Sequence, residues 1–460
     1  MGFRSLLVVM LLASTVSLAA GDVVSGKRDS IEYVGRWRVT ESGGSKTDVG
    51  PPLTLLWSHS PGWFSRYHRG GFDEPVLRRL FNTAQGLVTL INRTFYLLDR
   101  ETGRTLWSHS LDDAYHVTDW KRMGDVVFFA AYDYTDTKQR AGVRGALHLA
   151  QRRPLWMQHL NDPQRYVGGG SPEWVLPLPD KRVIFSTVYA EPWFLGPVEV
   201  LDAESGDLKL SFEKAFGYLE DVVGTWFCRD DTLFVLLHRY QGNAGVYLQG
   251  YDIRTGANLG ARHIFGNRAV GNLPFAFGVG PDSRLVFSYR LIGRNEPSTL
   301  VAYGLTQHAL AWNKPFGERS SQVDRFFRHI AFESGSADAV LATTLPDGYV
   351  VAALNDGSIA REGRLPGYVG WDEFNSLFYS APYLFAGAKR HVENGMAYDL
   401  IALNVLTGKI DWSYELDRES VSMDSPAAEI VSFLAADGVL YLSRKDGQIM
   451  AFRAARSSSR

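Results

Sequence analysis

The sequence predicts an all-β fold: an eight-bladed β-propeller of four-stranded antiparallel blades, with the last blade closed by the N-terminal strand. Three observations predict it: a ten-residue unit that recurs, a spacing that holds along the whole chain, and an incomplete repeat at each end. The unit reads Leu98-Asp99-Arg100-Glu101-Thr102-Gly103-Arg104-Thr105-Leu106-Trp107, and again Leu403-Asn404-Val405-Leu406-Thr407-Gly408-Lys409-Ile410-Asp411-Trp412. Partial copies are Leu201-Asp202-Ala203-Glu204-Ser205-Gly206 and Tyr251-Asp252-Ile253-Arg254-Thr255-Gly256. The anchor positions fall near 99, 149, 202, 252, 304, 355, 404 and 452. That is about 50 residues apart, the period of a blade built from four short strands.

Each element has a physical reason. Upstream of every anchor runs an apolar strand, such as 125–131, 182–186, 232–237, 284–288, 383–387 and 438–442. Several are apolar at consecutive positions, as strands buried on both faces require. In the turn, Asp99 accepts hydrogen bonds from following backbone amides, and Gly103 supplies a positive φ. The roles repeat at Asp202 and Gly206, at Asp252 and Gly256, and at Asn404 and Gly408. Trp107 then leads the outer strand, where its flat ring is expected to pack over the next blade. Trp156, Trp312 and Trp412 hold the same place, while Leu210 and Gly260 replace it in blades 3 and 4, and Arg152, His308 and Asn355 interrupt the motif in blades 2, 5 and 6.

The ends predict closure. Residues 448–453 form a last anchor strand with no outer strand after it. Residues 53–60, with Trp57, match 105–110 and form an outer strand with nothing before it. Pairing the two removes two sheet edges and closes the ring. The domain reading is then 1–19 a signal peptide, 20–52 a lead-in, 53–454 the propeller and 455–460 a polar tail. The leader rests on Arg4, the apolar run Leu6 to Leu12, and Ser17 and Ala19 at a cleavage site. It implies export, to a periplasm or outside the cell. The lead-in, with little periodicity beyond 31–37, reads as mobile or as lying against the outside of the domain. No second apolar run is long enough to span a bilayer, so no membrane-spanning segment is expected in the mature chain.

Composition narrows the function. A net charge of -2 gives no basis for a polyanionic partner such as nucleic acid. Cys228 is the single cysteine, so no intramolecular disulfide forms and packing alone holds the fold. No Gly-x-Ser-x-Gly elbow and no His-Glu-x-x-His motif is present. His59 and His109 follow the docking tryptophans and read as blade-surface residues.

The strand-Asp-x-x-Thr-Gly-x-x-x-Trp unit at 98–107 and 403–412 resembles the tryptophan-docking repeat of the pyrroloquinoline-quinone-type β-propellers, over residues 53–454. The resemblance implies one of two roles. Quinoprotein dehydrogenases of this type seat the quinone and a calcium ion on the axis, with the cofactor stacked between a Trp and a vicinal Cys-Cys disulfide. One cysteine cannot form that disulfide, and Glu173, Asn272, Asp372 and Asn375 follow no spacing that assembles a calcium site. The other role is that of non-catalytic envelope members, such as the propeller subunit of the outer-membrane barrel assembly machinery. That subunit has a lipid-anchoring cysteine this chain lacks. The second role fits better: no catalytic, cofactor-binding or metal-binding residue is assigned, no cofactor is predicted, and the expected partner is another protein, such as a member of an envelope complex. Loops with aromatics among polar and proline residues supply candidate anchors, Trp63, Tyr67, Trp174, Trp193 and Trp371. The bland alternative is that each ring plugs the gap between blades. A carbohydrate- or peptide-binding module remains a further alternative.

Overall fold

The computed structural model describes residues 32–35, 49–60, 79–133, 142–160, 173–178, 180–188, 195–212, 221–239, 245–266, 277–279, 284–289, 298–316, 327–332, 339–344, 347–371, 377–393, 395–419 and 430–454. The leader and the tail of the sequence reading lie outside them. Every described element is a β-strand, and the strands form eight antiparallel sheets. Blades 1 to 7 span 80–110, 115–160, 173–212, 221–265, 277–316, 327–364 and 370–419. Blade 8 combines 430–454 with the N-terminal strand Leu53–His59. Two sheets exceed four strands. Blade 4 gains Glu32–Gly35, and in blade 7 Gly370–Trp371 and Phe378–Ser380 both pair with Tyr383–Val392.

The closing register is Leu53↔Ala454, Thr54↔Arg453 and Leu55↔Phe452, then a bulge, then Trp57↔Ala451 to His59↔Ile449. Within blades 1 to 7 the strands follow in chain order from hub to rim, and in blade 8 the N-terminal strand Leu53–His59 takes the rim. First strands of neighbouring blades meet at the hub, as Tyr115–Met123 meets Glu173–Leu178 and Leu80–Thr83 meets Ile430–Ala436. Second strands such as Gly86–Ile91 are buried throughout, whereas rim strands such as Thr105–Ser110 stay partly or wholly exposed.

The core lies between blades. At the blade 1–2 junction Phe81 and Phe95 meet the buried Trp120 edge-on, with ring centres 4.8 and 5.6 Å apart. Such contacts add about 0.5–1.5 kcal/mol each beyond area burial. The inner strands carry a second periodicity. A register shift interrupts those of blades 2, 4, 6 and 8, at Val117/Asp119, Val223/Thr225, Phe327/His329 and Ile430/Ser432. Two of these shifts have a visible purpose, because the residue after the bulge reaches the next blade. Asp119 accepts the Val175 amide at 3.0 Å, and Ser432 accepts the Leu80 amide at 3.3 Å.

Alternating strand direction gives the disk two unlike faces. Turns joining first to second and third to fourth strands emerge on one face and are short, as at 84–85, 99–104, 124–125 and 405–408. The opposite face carries the remaining connections. These include 60–79, 161–172, 189–194, 266–276, 317–326, 365–369 and 420–429.

The lead-in departs from expectation. Glu32–Gly35 lies on the hub edge of blade 4, not on the outside of the domain.

Candidate functional site

The docking residues act between blades. The Asp99 carboxylate accepts the amides of Glu101 and Thr102 and the Thr102 hydroxyl at 2.8–3.0 Å. Those bonds, led by the one from Thr102, hold its pKa below the usual carboxylate value. The turn so fixed leaves Gly103 at φ 72°. A Cβ there would stand 2.5 Å from the Trp57 ring, which arrives from blade 8 and donates its indole N–H to the Arg100 carbonyl at 3.0 Å. The ring therefore rests on the bare backbone of the glycine. Trp156 repeats this on Gly206 and Ala203, and Trp312 on Gly357 and Leu354, with indole bonds of 3.0 and 2.8 Å. Asp202, Asp252 and Asn404 cap their turns through the same two amides.

Several junctions correct the sequence reading. In blade 3 the docking ring is Phe212, two residues beyond Leu210 on the same strand face, and it lies over Gly256. The blade 6 turn is intact. Its anchor is Ala353, two residues before Asn355, and Gly357 holds the glycine place. At the blade 6–7 junction Arg361 takes the tryptophan position, and Tyr349 crosses over Gly363 to bring its hydroxyl close to Gly408. Arg152 and His308 occupy the glycine place with positive φ in blades 2 and 5. A side chain replaces the glycine at 308, and the strand facing that turn carries Gly260 in place of a ring. Trp107 packs with Leu149 and stacks on His109 at 6.0 Å, and Trp412 meets Phe452 edge-on at 5.9 Å.

The hub holds a buried charge cluster that no spacing in the sequence announces. Arg79, Asp119 and Lys121 are 2 %, 2 % and 0 % exposed. Asp119 accepts Arg79 at 3.1 Å, Lys121 at 3.4 Å and the Trp120 amide at 2.9 Å, in addition to Val175. Arg79 also donates to the Trp120 carbonyl at 2.7 Å. One carboxylate thus ties the inner strands of three consecutive blades. It is saturated by donors, which suits it to framing the hub rather than to proton transfer.

The aromatic candidates fall out differently. Trp63, Tyr67 and Trp193 lie outside the described residues. Trp174 sits in the strand Glu173–Leu178, opposite Ser186. Trp371 is 4 % exposed, packs among Tyr349, Leu377 and Leu384, and donates to the Gly348 carbonyl at 2.9 Å. It is an interblade plug and leaves the exposed set. The connections that carry Trp63, Tyr67 and Trp193 leave strand ends on one and the same face, and Trp174 starts its strand there.

The quinone seat implied by the resemblance does not match the residues present. Cys228 is buried in the inner strand of blade 4, its thiol donating to the Asp230 carbonyl at 3.5 Å, and no second cysteine exists to pair with it. Among the described residues no three His, Cys, Asp or Glu side chains are grouped to hold a metal. No helix of the described residues is long and apolar enough to cross a membrane.

No protein-family model and no curated protein matches the chain. Solved structures do. BamB from Moraxella catarrhalis is 14 % identical with a TM-score of 0.50, over 87 % of this chain and 99 % of that one. The computationally designed Ika8 protein is 15 % identical with a TM-score of 0.52, over 82 % and 95 %. The dihydro-heme d1 dehydrogenase NirN is 13 % identical with a TM-score of 0.50, over 87 % and 74 %. The architecture is an eight-bladed β-propeller, and the likeness to these structures is one of fold. At these identities the likeness speaks for the fold alone.

Proposed function

We propose that the protein is an exported, non-catalytic propeller that holds another protein on its loop-bearing face. One observation carries this reading: the connections bearing Trp63, Tyr67 and Trp193 join strand ends at the same face, where the strand that carries Trp174 also begins, while the described connections of the opposite face are short turns. Binding residues concentrate on loops set on a rigid scaffold, and Trp and Tyr anchor protein contacts. A preformed disk adds little ordering cost to association. The single buried cysteine supports a scaffold over a quinone enzyme, although a scaffold-type and a dehydrogenase structure resemble the chain to the same degree. BamB-like placement in an envelope complex belongs to the same proposal.

The test combines capture with cofactor titration. A protein captured from the native envelope by the wild-type chain is expected to be lost from a Trp63→Ala, Trp174→Ala, Trp193→Ala triple variant that keeps its melting temperature within a few degrees. Stoichiometric uptake of pyrroloquinoline quinone with calcium, accompanied by alcohol or sugar oxidation, would overturn the reading.

A further inference from the structure

Sheet edges present unpaired amides and carbonyls, and an edge left open invites another strand. In this propeller such edges remain at the rim and at the hub, and one hub edge is already occupied. Glu32–Gly35 pairs antiparallel with the inner strand of blade 4, Asp221–Arg229, in the register Glu32↔Cys228, Tyr33↔Phe227, Val34↔Trp226 and Gly35↔Thr225. It also meets the inner strand of blade 3, Glu173–Leu178. The next described residue of the chain is Val49, buried with Phe378, Phe385 and Leu53 at the blade 7–8 junction. From Gly35 to Val49 an extended chain reaches about 50 Å. A four-stranded blade measures about 15 Å from hub to rim, so one crossing of the disk lies within that reach.

We propose that the hub edge of blade 4 is a strand-accepting site whose resident ligand is the extended segment 32–35. The covalent chain thereby links this hub edge to Val49 at the blade 7–8 junction. Main-chain hydrogen bonds supply the affinity, as in β-strand addition generally. Polarity follows from the register. Glu32 stands opposite Cys228, at the end of the inner strand that enters the turn 230–231, and hence at the tight-turn face. A planar group seated on the axis would compete with this strand. The proposal holds whatever the loop-bearing face binds.

The register supplies its own probe, because Cys228 is the single cysteine. Facing residues of an antiparallel pair stand about 4.5–5.5 Å apart at Cα, within the span of a disulfide. Mild oxidation of the folded full-length Glu32→Cys variant is expected to consume both thiols within one chain. Tyr33→Cys, which faces Phe227, is expected to keep both. As a readout free of cysteine chemistry, deleting residues 28–37 is expected to speed hydrogen exchange at least tenfold at those amides of 225–228 that point at the segment, every second one along the strand, and a synthetic 28–38 peptide to restore protection. Equal thiol loss in the two variants, no loss in either, or exchange unchanged by the deletion would overturn the proposal.

Discussion

Gly103 shows how one residue couples two blades. Its positive φ and the pressure of the Trp57 ring are separate penalties for any side chain placed there. Gly124 supplies the contrast, with φ 58° and open space where its Cβ would go. Gly103→Ala is expected to cost about 2–4 kcal/mol, overpacking added to backbone strain, and Gly124→Ala only about 1 kcal/mol. Urea unfolding of both variants measures the difference, and equal costs would remove the docking contact from the account. The repeat was legible in the sequence at this scale because Asp, Gly and Trp each answer a distinct physical demand. Phe212 escapes a fixed Gly-to-Trp spacing, although Leu210-Ser211-Phe212 alternates and places 210 and 212 on one strand face. Ala353 was missed because an anchor without a polar side chain leaves only Gly357 as its signal. Trp371 was misplaced because a Gly-Trp pair in a connection reads the same whether the ring faces solvent or a neighbouring blade.

Inner strands show a different economy. Their bulges recur in alternate blades, and in blades 2 and 8 the residue after the bulge accepts an amide of the next blade. Asp119 adds charge to this role, with Arg79 and Lys121 sharing its carboxylate out of contact with water. Asp119→Asn preserves shape yet removes a carboxylate charge that two buried cations share. It is expected to cost about 3–5 kcal/mol. Ser432→Ala, which removes a neutral acceptor at the equivalent place, should cost about 1–3 kcal/mol. Chemical denaturation orders the two, and a smaller loss for Asp119→Asn than for Ser432→Ala would show that Arg79 and Lys121 do not depend on it. None of this was legible beforehand. A register shift leaves no compositional mark, and Arg79, Asp119 and Lys121 meet only after three blades are assembled.

For the whole molecule, pairing of Leu53–His59 with Ile449–Ala454 turns a linear array into a ring, and the half-repeats at the two ends made that pairing readable in advance. The two-faced character of the disk was not read from the sequence. It follows from strand direction once the strand ends are placed, and it gathers the aromatic-bearing connections on one side. Function stays less legible than fold for a physical reason: the repeat records how blades pack, while a partner is recognised by loops that vary freely on that frame. The most direct measurement is photo-crosslinking in the native host, with the reactive side chain placed in turn at positions 63 and 193, in connections between strand ends of the loop-bearing face, and at 174, and for comparison at 101, 204 and 254 on the tight-turn face. Adducts to one protein from the first set and none from the second are the predicted result. Equal adducts from both sets, or adducts from the tight-turn set alone, would contradict it.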